Sequence, residues 1–284
     1  MKIVIVNDWV KPMILEKENL WTWLLESLPA TPISFAELKI PLEDAIEQEK
    51  PDIIINNDLW GLTFPNYFTI TIAQNNYVEM QRLLGTDYND IIKKQKRALQ
   101  ASQIRVANSN YSAHSYNDCG DFVVIPIGTN PEIFKPMQEM RKKYGIPQDK
   151  IVYIWVGSHH PVKGWNTIKN LIQEYKEIFW ILVLKDEPEQ ELKNTKIFYR
   201  IEQEKLAELY NCADVFISES IVESLGLAPI EAMFCNIPVL STKTGIFWDW
   251  YPPIKNPRQE AFDKGLDKET CIRKWKELIR GIKI

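Results

Sequence analysis

The segment "ESIVESLGLAPIEAMFCNIPVL", residues 219–240, sets two glutamates, Glu223 and Glu231, eight positions apart, with Gly226 between them and a proline-limited apolar run behind them. Three readings are open: the acid pair of a hydrolase, a nucleotide-sugar clamp, or an ordinary helix with an acidic face. A single helix across both glutamates separates them by roughly 12 Å at about 1.5 Å per residue. Hydrolase pairs stand about 5 to 9.5 Å apart, so the spacing disfavours a dyad. A loop carrying Glu223 followed by a helix over 226–235 instead offers unpaired amides and a dipole end to a phosphate. Gly226 lets a ligand approach the backbone closely. Glu231, about one turn into that helix, is placed to accept hydrogen bonds from sugar or ribose hydroxyls.

Working outward from this segment, short apolar runs alternate with longer charged stretches of helical character, the pattern of parallel sheets covered by helices. The spacing predicts strands at 2–6, 52–56, 68–72, 104–108 and 122–126, with helices around 14–27, 41–50, 87–103 and 111–118. The stretch "IPIGTNPEIFKP" (125–136) interrupts this rhythm with three prolines and a glycine, as a turn-rich linker does. A second series follows, with strands at 151–157, 179–184, 196–200, 214–218 and 238–242 and helices at 165–176, 202–211 and 226–235. The last residues, "ETCIRKWKELIRGI", have helical spacing and no strand after them. The expected fold class is therefore α/β: two Rossmann-like doubly wound domains facing across a cleft, with a C-terminal helix packing back. Its expected divisions are an acceptor-side domain over 1–135, a donor domain over 136–256 and a helical segment over 257–284 returning toward the first.

Open parallel sheets bind ligands beyond the carboxyl ends of their strands. In the second series that rule gathers "GSHHPVKG", "KDEP", Arg200 and "ESIVESLG" on one rim. Lys163, Lys185, Arg200 and Glu223 then surround a small-residue helix start, which suits a ligand carrying both phosphate and hydroxyls.

The net charge of −4 gives no basic footprint for nucleic acid. Lys93, Lys94, Lys96 and Arg97 cluster on one expected helix, either a solvated face or a contact with an acidic partner or membrane surface. The four cysteines have no metal-ligand spacing, and three histidines offer no three-histidine site, so no metal is expected. Neither GxGxxG nor GxxxxGK[ST] occurs, which argues against dehydrogenase and ATPase readings. With no apolar run of about 18 residues, a cytoplasmic protein is expected, with peripheral membrane contact as the alternative.

From about residue 104 the sequence resembles the family-four retaining glycosyltransferases, which have the GT-B fold. The resemblance rests on "VANSNYSAHSY", "VIPIGTNPEIFKP", "VGSHHPVKGW", "LAELYNCADVFISES" and "ESLGLAPIEAMFCNIPVLST", five segments in the family's order and spacing. The last carries the family's E-x7-E element at Glu223 and Glu231. The resemblance implies Lys163 and Glu223 as the catalytic pair, Lys163 on the donor diphosphate and Glu223 facing the transferred sugar. It implies a donor site of Gly157, Ser158, Lys163, Tyr199, Arg200, Glu223, Leu225, Gly226, Leu227 and Glu231, with Glu231 on the ribose and Tyr199 and Arg200 bordering the base. On the acceptor side Asn7, Gln74 and Asn75 occupy positions where the family has a glycine-rich loop and a histidine. The donor is expected to be a UDP- or GDP-sugar, with no cofactor or metal, and the acceptor a hydroxyl of a glycan, lipid or small molecule.

The departures are specific. Ser158 stands where the family has an arginine, leaving His159, His160 and Lys185 as candidates for the missing charge. "KDE" at 185–187 replaces a "GdG" turn, and Asn236 replaces a glycine. Ser158, together with the histidine missing where Gln74 and Asn75 stand, motivates an alternative, a nucleotide-sugar-binding protein that has lost transfer.

Overall fold

The structure is a computed structural model that describes residues 1–7, 19–187, 192–250 and 254–283. The chain forms two compact units, one of Met1–Gly128 with Lys268–Ile284 and the other of Thr129–Asp267.

In the first unit β1 (Ile3–Asn7), β2 (Ala30–Ser34), β3 (Ile53–Asn57), β4 (Phe68–Ala73), β5 (Ile104–Ala107) and β6 (Val123–Val124) form a parallel sheet in the order β2-β1-β3-β4-β5-β6. Side chains alternate between the two faces of a strand, so a sheet covered on both sides needs strands that are apolar throughout. Ile3, Ile5, Ile53, Ile55, Ile70 and Ile72 join one buried cluster, and Val4, Val6 and Ile54 another. α1 (Leu20–Ser27) covers the first face with Trp21 and Leu24, and α2 (Leu42–Glu49) packs Ala45 and Ile46 on the second. The C-terminal helix, Lys268–Gly281, buries Cys271, Trp275 and Ile279 in the same cluster as α1.

The expected strands appear within one or two residues of their bounds, except that the last is shortened to Val123–Val124. β2 escapes the apolar-run criterion because Thr31 and Pro32 interrupt it, and an edge strand tolerates a proline that a central one does not. α3 (Tyr77–Leu84) is likewise unforeseen, for it buries no side chain and therefore carries no core stripe. Asn76 caps it from its side chain, accepting from the Glu79 amide at 3.1 Å. Of the helix expected over 14–27, the observed part begins at Leu20, and positions 14–18 lie outside the described residues. α4 (Asn89–Ala101) and α5 (Asn110–Ser115) complete the unit. On α4, Lys96 pairs with Asp118 and Arg97 donates to the Gly61 carbonyl, so the basic cluster is partly committed to the unit itself.

The polar residues at the carboxyl edge of this sheet form a buried network. Asp58, fully buried after β3, accepts from the Gln74 amide at 3.3 Å and from Gln95 Nε2 at 3.0 Å. Burial raises its pKa to about 8 against these hydrogen bonds, which favour the carboxylate. A carboxyl that titrates higher in the folded than the unfolded chain stabilises the fold below its unfolded pKa, near 4, and that stability is lost as pH rises through about 8. Thermal melts between pH 6 and 9 are expected to fall with rising pH, and Asp58→Asn is expected to flatten that slope.

The second unit places β7 (Val152–Gly157), β8 (Phe179–Leu184), β9 (Thr195–Tyr199), β10 (Val215–Ser218) and β11 (Val239–Ser241) in the order β11-β10-β7-β8-β9, again parallel. Its helices are α6 (Met140–Tyr144), α7 (Trp165–Glu174), α8 (Gln203–Tyr210), α9 (Leu227–Phe234) and α10 (Pro257–Asp263). Trp155, Trp165 and Trp180 anchor the core between α7 and the sheet. Burial of a large apolar side chain contributes about 1.5–3 kcal/mol.

The unit boundaries fall at 128/129 and 267/268, where the sequence suggested 135 and 256. Hydrogen bonding accounts for the difference. The Thr129 amide donates to the Leu266 carbonyl at 2.8 Å, tying the start of the linker to residues after α10. Arg258 on α10 donates to the carbonyls of Phe134 and Phe234, so residues 257–267 pack with the second unit.

Candidate functional site

In the second sheet the strand order reverses between β7 and β10, the place where doubly wound sheets bind ligands. The register lines up Gly157, Leu184 and Tyr199 across β7, β8 and β9. The next residues, Ser158, Lys185 and Arg200, therefore emerge side by side. The Lys185 amide donates to the Gly157 carbonyl at 3.0 Å and the Arg200 amide to the Leu184 carbonyl at 3.2 Å, which extends the ladder to the rim. A pocket of about 770 Å³ opens there, lined by Gly157, Ser158, Lys163, Lys185, Asp186 and Arg200 among others. Leu206 of α8 and Ala228 in the first turn of α9 close its apolar side.

Lys163 reaches the pocket from a short 3-10 turn, Pro161–Lys163, whose start is capped by His160 Nδ1 accepting from the Val162 amide at 3.2 Å. Gly164 ends the turn at φ 72° and begins α7. Across the switch point, the Ile221 amide donates to the Val162 carbonyl at 2.7 Å, so the turn and the loop after β10 hold each other. The same loop is fixed on its other side, where the Glu223 amide donates to Thr244 Oγ1 at 2.8 Å and the Ile246 amide to the Leu225 carbonyl at 2.8 Å.

Glu223 lies before α9, as the sequence suggested, with one oxygen 2.6 Å from Lys163 Nζ and 2.8 Å from Ser220 Oγ. The two residues expected to form the catalytic pair thus pair with each other. Gly226, at φ 92°, precedes α9 with no side-chain cap. Because Pro229 has no amide hydrogen, the unpaired donors of the first turn are those of Leu227 and Ala228. Of the ten expected donor residues, Gly157, Ser158, Lys163 and Arg200 line the pocket, whereas Tyr199, Glu223, Leu225, Gly226, Leu227 and Glu231 do not; Ala228 represents α9 there.

Glu231 points toward α8, where Tyr210 Oη donates to its Oε2 at 2.9 Å. Tyr210 is fully buried, its ring between Phe134 and Phe216. Burial pushes the Glu231 carboxyl up to about 7, and the Tyr210 hydrogen bond opposes that shift. Nothing local in "LAELYNCADVF" marks Tyr210 as a partner of a glutamate 21 residues later. Thr244 and Ser220 were also unforeseen, as their roles depend on loops meeting in space. Tyr199 is exposed at the end of β9, and Arg200, in a left-handed conformation at φ 49°, lies 4.0 Å from Asp186.

The acceptor-side candidates belong to the first unit. Asn7 is buried and its Oδ1 accepts from Asn57 Nδ2 at 3.0 Å. Gln74 and Asn75 follow β4, held through their backbone: the Asn75 carbonyl accepts from Gln95 Nε2 at 3.0 Å and Tyr116 Oη at 2.9 Å. Residues 8–12 of "NDWVKP" lie outside the described residues. Among the described residues no group of three His, Cys, Asp or Glu side chains is placed to hold a metal ion, and no helix is long and apolar enough to cross a membrane.

Comparisons with known proteins converge on the same region. Residues 136–250 match the family model described as glycosyl transferases group 1. N-acetyl-alpha-D-glucosaminyl L-malate synthase of Bacillus anthracis is 29% identical over 125 residues, covering 39% of this chain and 32% of that protein. A probable sucrose-phosphate synthase of Thermosipho melanesiensis is 33% identical over 140 residues, covering 43% of this chain and 32% of that protein. The matched stretch is thus about a third of these relatives' length. Among solved structures, sucrose-phosphate synthase of Thermosynechococcus elongatus superposes with a TM-score of 0.79 at 16% identity, over 99% of this chain and 98% of that one. The Anabaena protein HepE, solved with UDP and glucose, superposes with a TM-score of 0.74 at 15% identity over 99% and 100% of the two chains. At such identities the superpositions establish the fold.

Proposed function

We propose that this chain, a group 1 glycosyltransferase by family and GT-B by fold, transfers a sugar from a nucleoside diphosphate donor to a hydroxyl acceptor with retention of anomeric configuration. The observation that carries the reading is the pocket at the β7/β10 switch point, where Lys163, Lys185 and Arg200 stand around a helix start that has amides to offer. A UDP or GDP moiety fits its chemistry, with the base toward Tyr199 and Arg200 and the diphosphate between Lys163 and the first turn of α9. Glu231 then accepts from the ribose hydroxyls and Glu223 from the sugar.

In this reaction the bond from the anomeric carbon to the diphosphate oxygen breaks, and negative charge builds on the leaving phosphate. Lys163 and the amides of Leu227 and Ala228 are the groups placed to stabilise that charge, and fixed donors of this kind supply the largest part of many rate enhancements. No protein nucleophile is required if a donor phosphate oxygen takes the acceptor's proton. The acceptor is a glycan, lipid or small molecule bearing a hydroxyl.

The titration of Glu231 gives a prediction. If its carboxylate accepts from ribose, UDP affinity weakens as pH falls through about 7, because protonation removes the acceptor. Tyr210→Phe deletes the hydrogen bond favouring the carboxylate and is expected to move this midpoint upward. Comparing the two proteins by calorimetry between pH 6 and 8.5 cancels the titration of UDP itself, and identical profiles would count against the ribose role. The function is tested by a thermal-shift screen of UDP-, GDP- and ADP-sugars followed by turnover of those that bind. Binding with neither transfer nor donor hydrolysis would leave a binding protein in place of an enzyme.

A further inference from the structure

The three basic side chains of the donor pocket are not equally available to an incoming anion. Lys163 is occupied: its Nζ stands 2.6 Å from Glu223 Oε1, in a partly buried contact that Ser220 Oγ supports at 2.8 Å. Arg200 lies two strands away from β7 and faces Asp186 at 4.0 Å. Lys185 has no anionic partner among the described residues, yet it lines the same pocket. Its position is fixed by the sheet, since its amide is bonded to the Gly157 carbonyl and it emerges one strand spacing, about 4.8 Å, from Ser158.

Among the described residues, a diphosphate entering this pocket meets one cation with no anionic partner, Lys185, and two that face carboxylates, of which Lys163 must first give up its own. A buried or partly buried pair resists separation until a new partner replaces the old one. The sugar-binding role of Glu223 raises the same problem from the other side, since a carboxylate engaged by Lys163 and Ser220 has less capacity for sugar hydroxyls.

We propose that Lys185 makes the first contact with the donor diphosphate, and that the Lys163–Glu223 pair opens only afterwards, Lys163 passing to the phosphates and Glu223 to the hydroxyls of the transferred sugar. The proposal rests on the nucleotide-sugar reading of this pocket and adds an order of events to it. Glu223 becomes a latch on Lys163 as well as a sugar ligand. The cation at position 185, which has no anionic partner among the described residues, also supplies the positive charge that Ser158, a neutral residue beside it, does not.

The latch has a consequence that a simple sugar ligand does not have. A diphosphate without a sugar must still compete with Glu223 for Lys163. Removing the Glu223 charge therefore strengthens binding of bare UDP even as it removes the preference for a UDP-sugar over UDP.

Calorimetric titration of wild type, Lys185→Met, Lys185→Arg and Glu223→Gln with UDP, GDP, ADP and pyrophosphate tests the proposal. For every diphosphate that wild type binds, Lys185→Met is expected to weaken binding by about 10- to 100-fold, the loss of one charge-assisted contact. Lys185→Arg should recover most of it. Glu223→Gln is expected to tighten the same ligands by roughly 3- to 10-fold, a fraction of one ion pair. Wild-type affinity in Lys185→Met, or unchanged or weaker diphosphate binding in Glu223→Gln, overturns the proposal while leaving the donor pocket standing. If wild type takes up none of the four ligands, the nucleotide-sugar reading fails and the ordering fails with it. Position 185 is exposed, so its variants are expected to fold.

Discussion

Gly164→Ala is expected to abolish nucleotide binding and to destabilise the second unit by about 2–4 kcal/mol, through backbone strain and overpacking together. Gly164 has φ 72°, where an L side chain is strained, and an added Cβ would stand 2.1 Å from the Glu219 carbonyl oxygen and 2.7 Å from its carbon. These are backbone atoms of the loop after β10, which cannot swing aside as a side chain does. The loop is also held to the 3-10 turn by the Ile221–Val162 hydrogen bond, so relief requires the two walls of the switch point to separate. Lys163 and Glu223 sit on those walls. Gly85→Ala provides the control: φ there is 69°, but nothing lies within 4 Å of the new Cβ. It is expected to cost only about 1 kcal/mol, the conformational share, and to leave ligand binding intact. Urea unfolding and UDP titration of the two variants separate strain from collision.

The second large effect is expected at Glu231. Glu231→Gln keeps a side-chain oxygen for Tyr210 but removes the charge, and donor affinity should fall about 10- to 100-fold for one charge-assisted contact. Glu231→Ala removes both. Tyr210 Oη is then left in a fully buried position without its partner, adding a stability loss of about 1–3 kcal/mol. The pattern expected is weak binding in both variants and a lowered melting temperature mainly in the alanine. An unchanged Kd in Glu231→Gln would remove Glu231 from the ligand site and leave it a structural partner of Tyr210.

Both effects depend on parts of the molecule that differ in how readily sequence reveals them. The sheets were legible because strands buried on two faces must be apolar throughout, and "DIIIN" and "FWILVL" have no other economical reading. The rim was legible for a related reason: in a parallel sheet the segments after the strands emerge at one edge, which is how Lys185 and Arg200, directly after β8 and β9, and Lys163, in the turn after β7, come to one pocket. The loop position of Glu223 followed from the glycine before α9. What did not follow were contacts between segments far apart in the chain. The Tyr210–Glu231 and Lys163–Glu223 pairs span 21 and 60 residues, the Asp58–Gln95–Tyr116 network is built from contacts 37 and 21 residues apart, and no periodicity records them. β2 and α3 stayed hidden because neither contributes an apolar stripe of the usual length. The boundary near 267 depended on Arg258 reaching two carbonyls, a contact with no local signature.

In the proposed reaction the pocket at the β7/β10 switch point binds a nucleoside diphosphate sugar and releases the diphosphate. Release of UDP or GDP from a panel of their sugar conjugates, measured for wild type and Lys163→Ala with water or a mixed hydroxyl acceptor pool, tests it most directly. Wild type is expected to turn over at least one conjugate, and Lys163→Ala to lose at least about 100-fold in rate, as removal of one electrostatic stabiliser does. A wild type that turns over no conjugate, whether or not it binds one, or a Lys163→Ala variant as active as wild type, would contradict it.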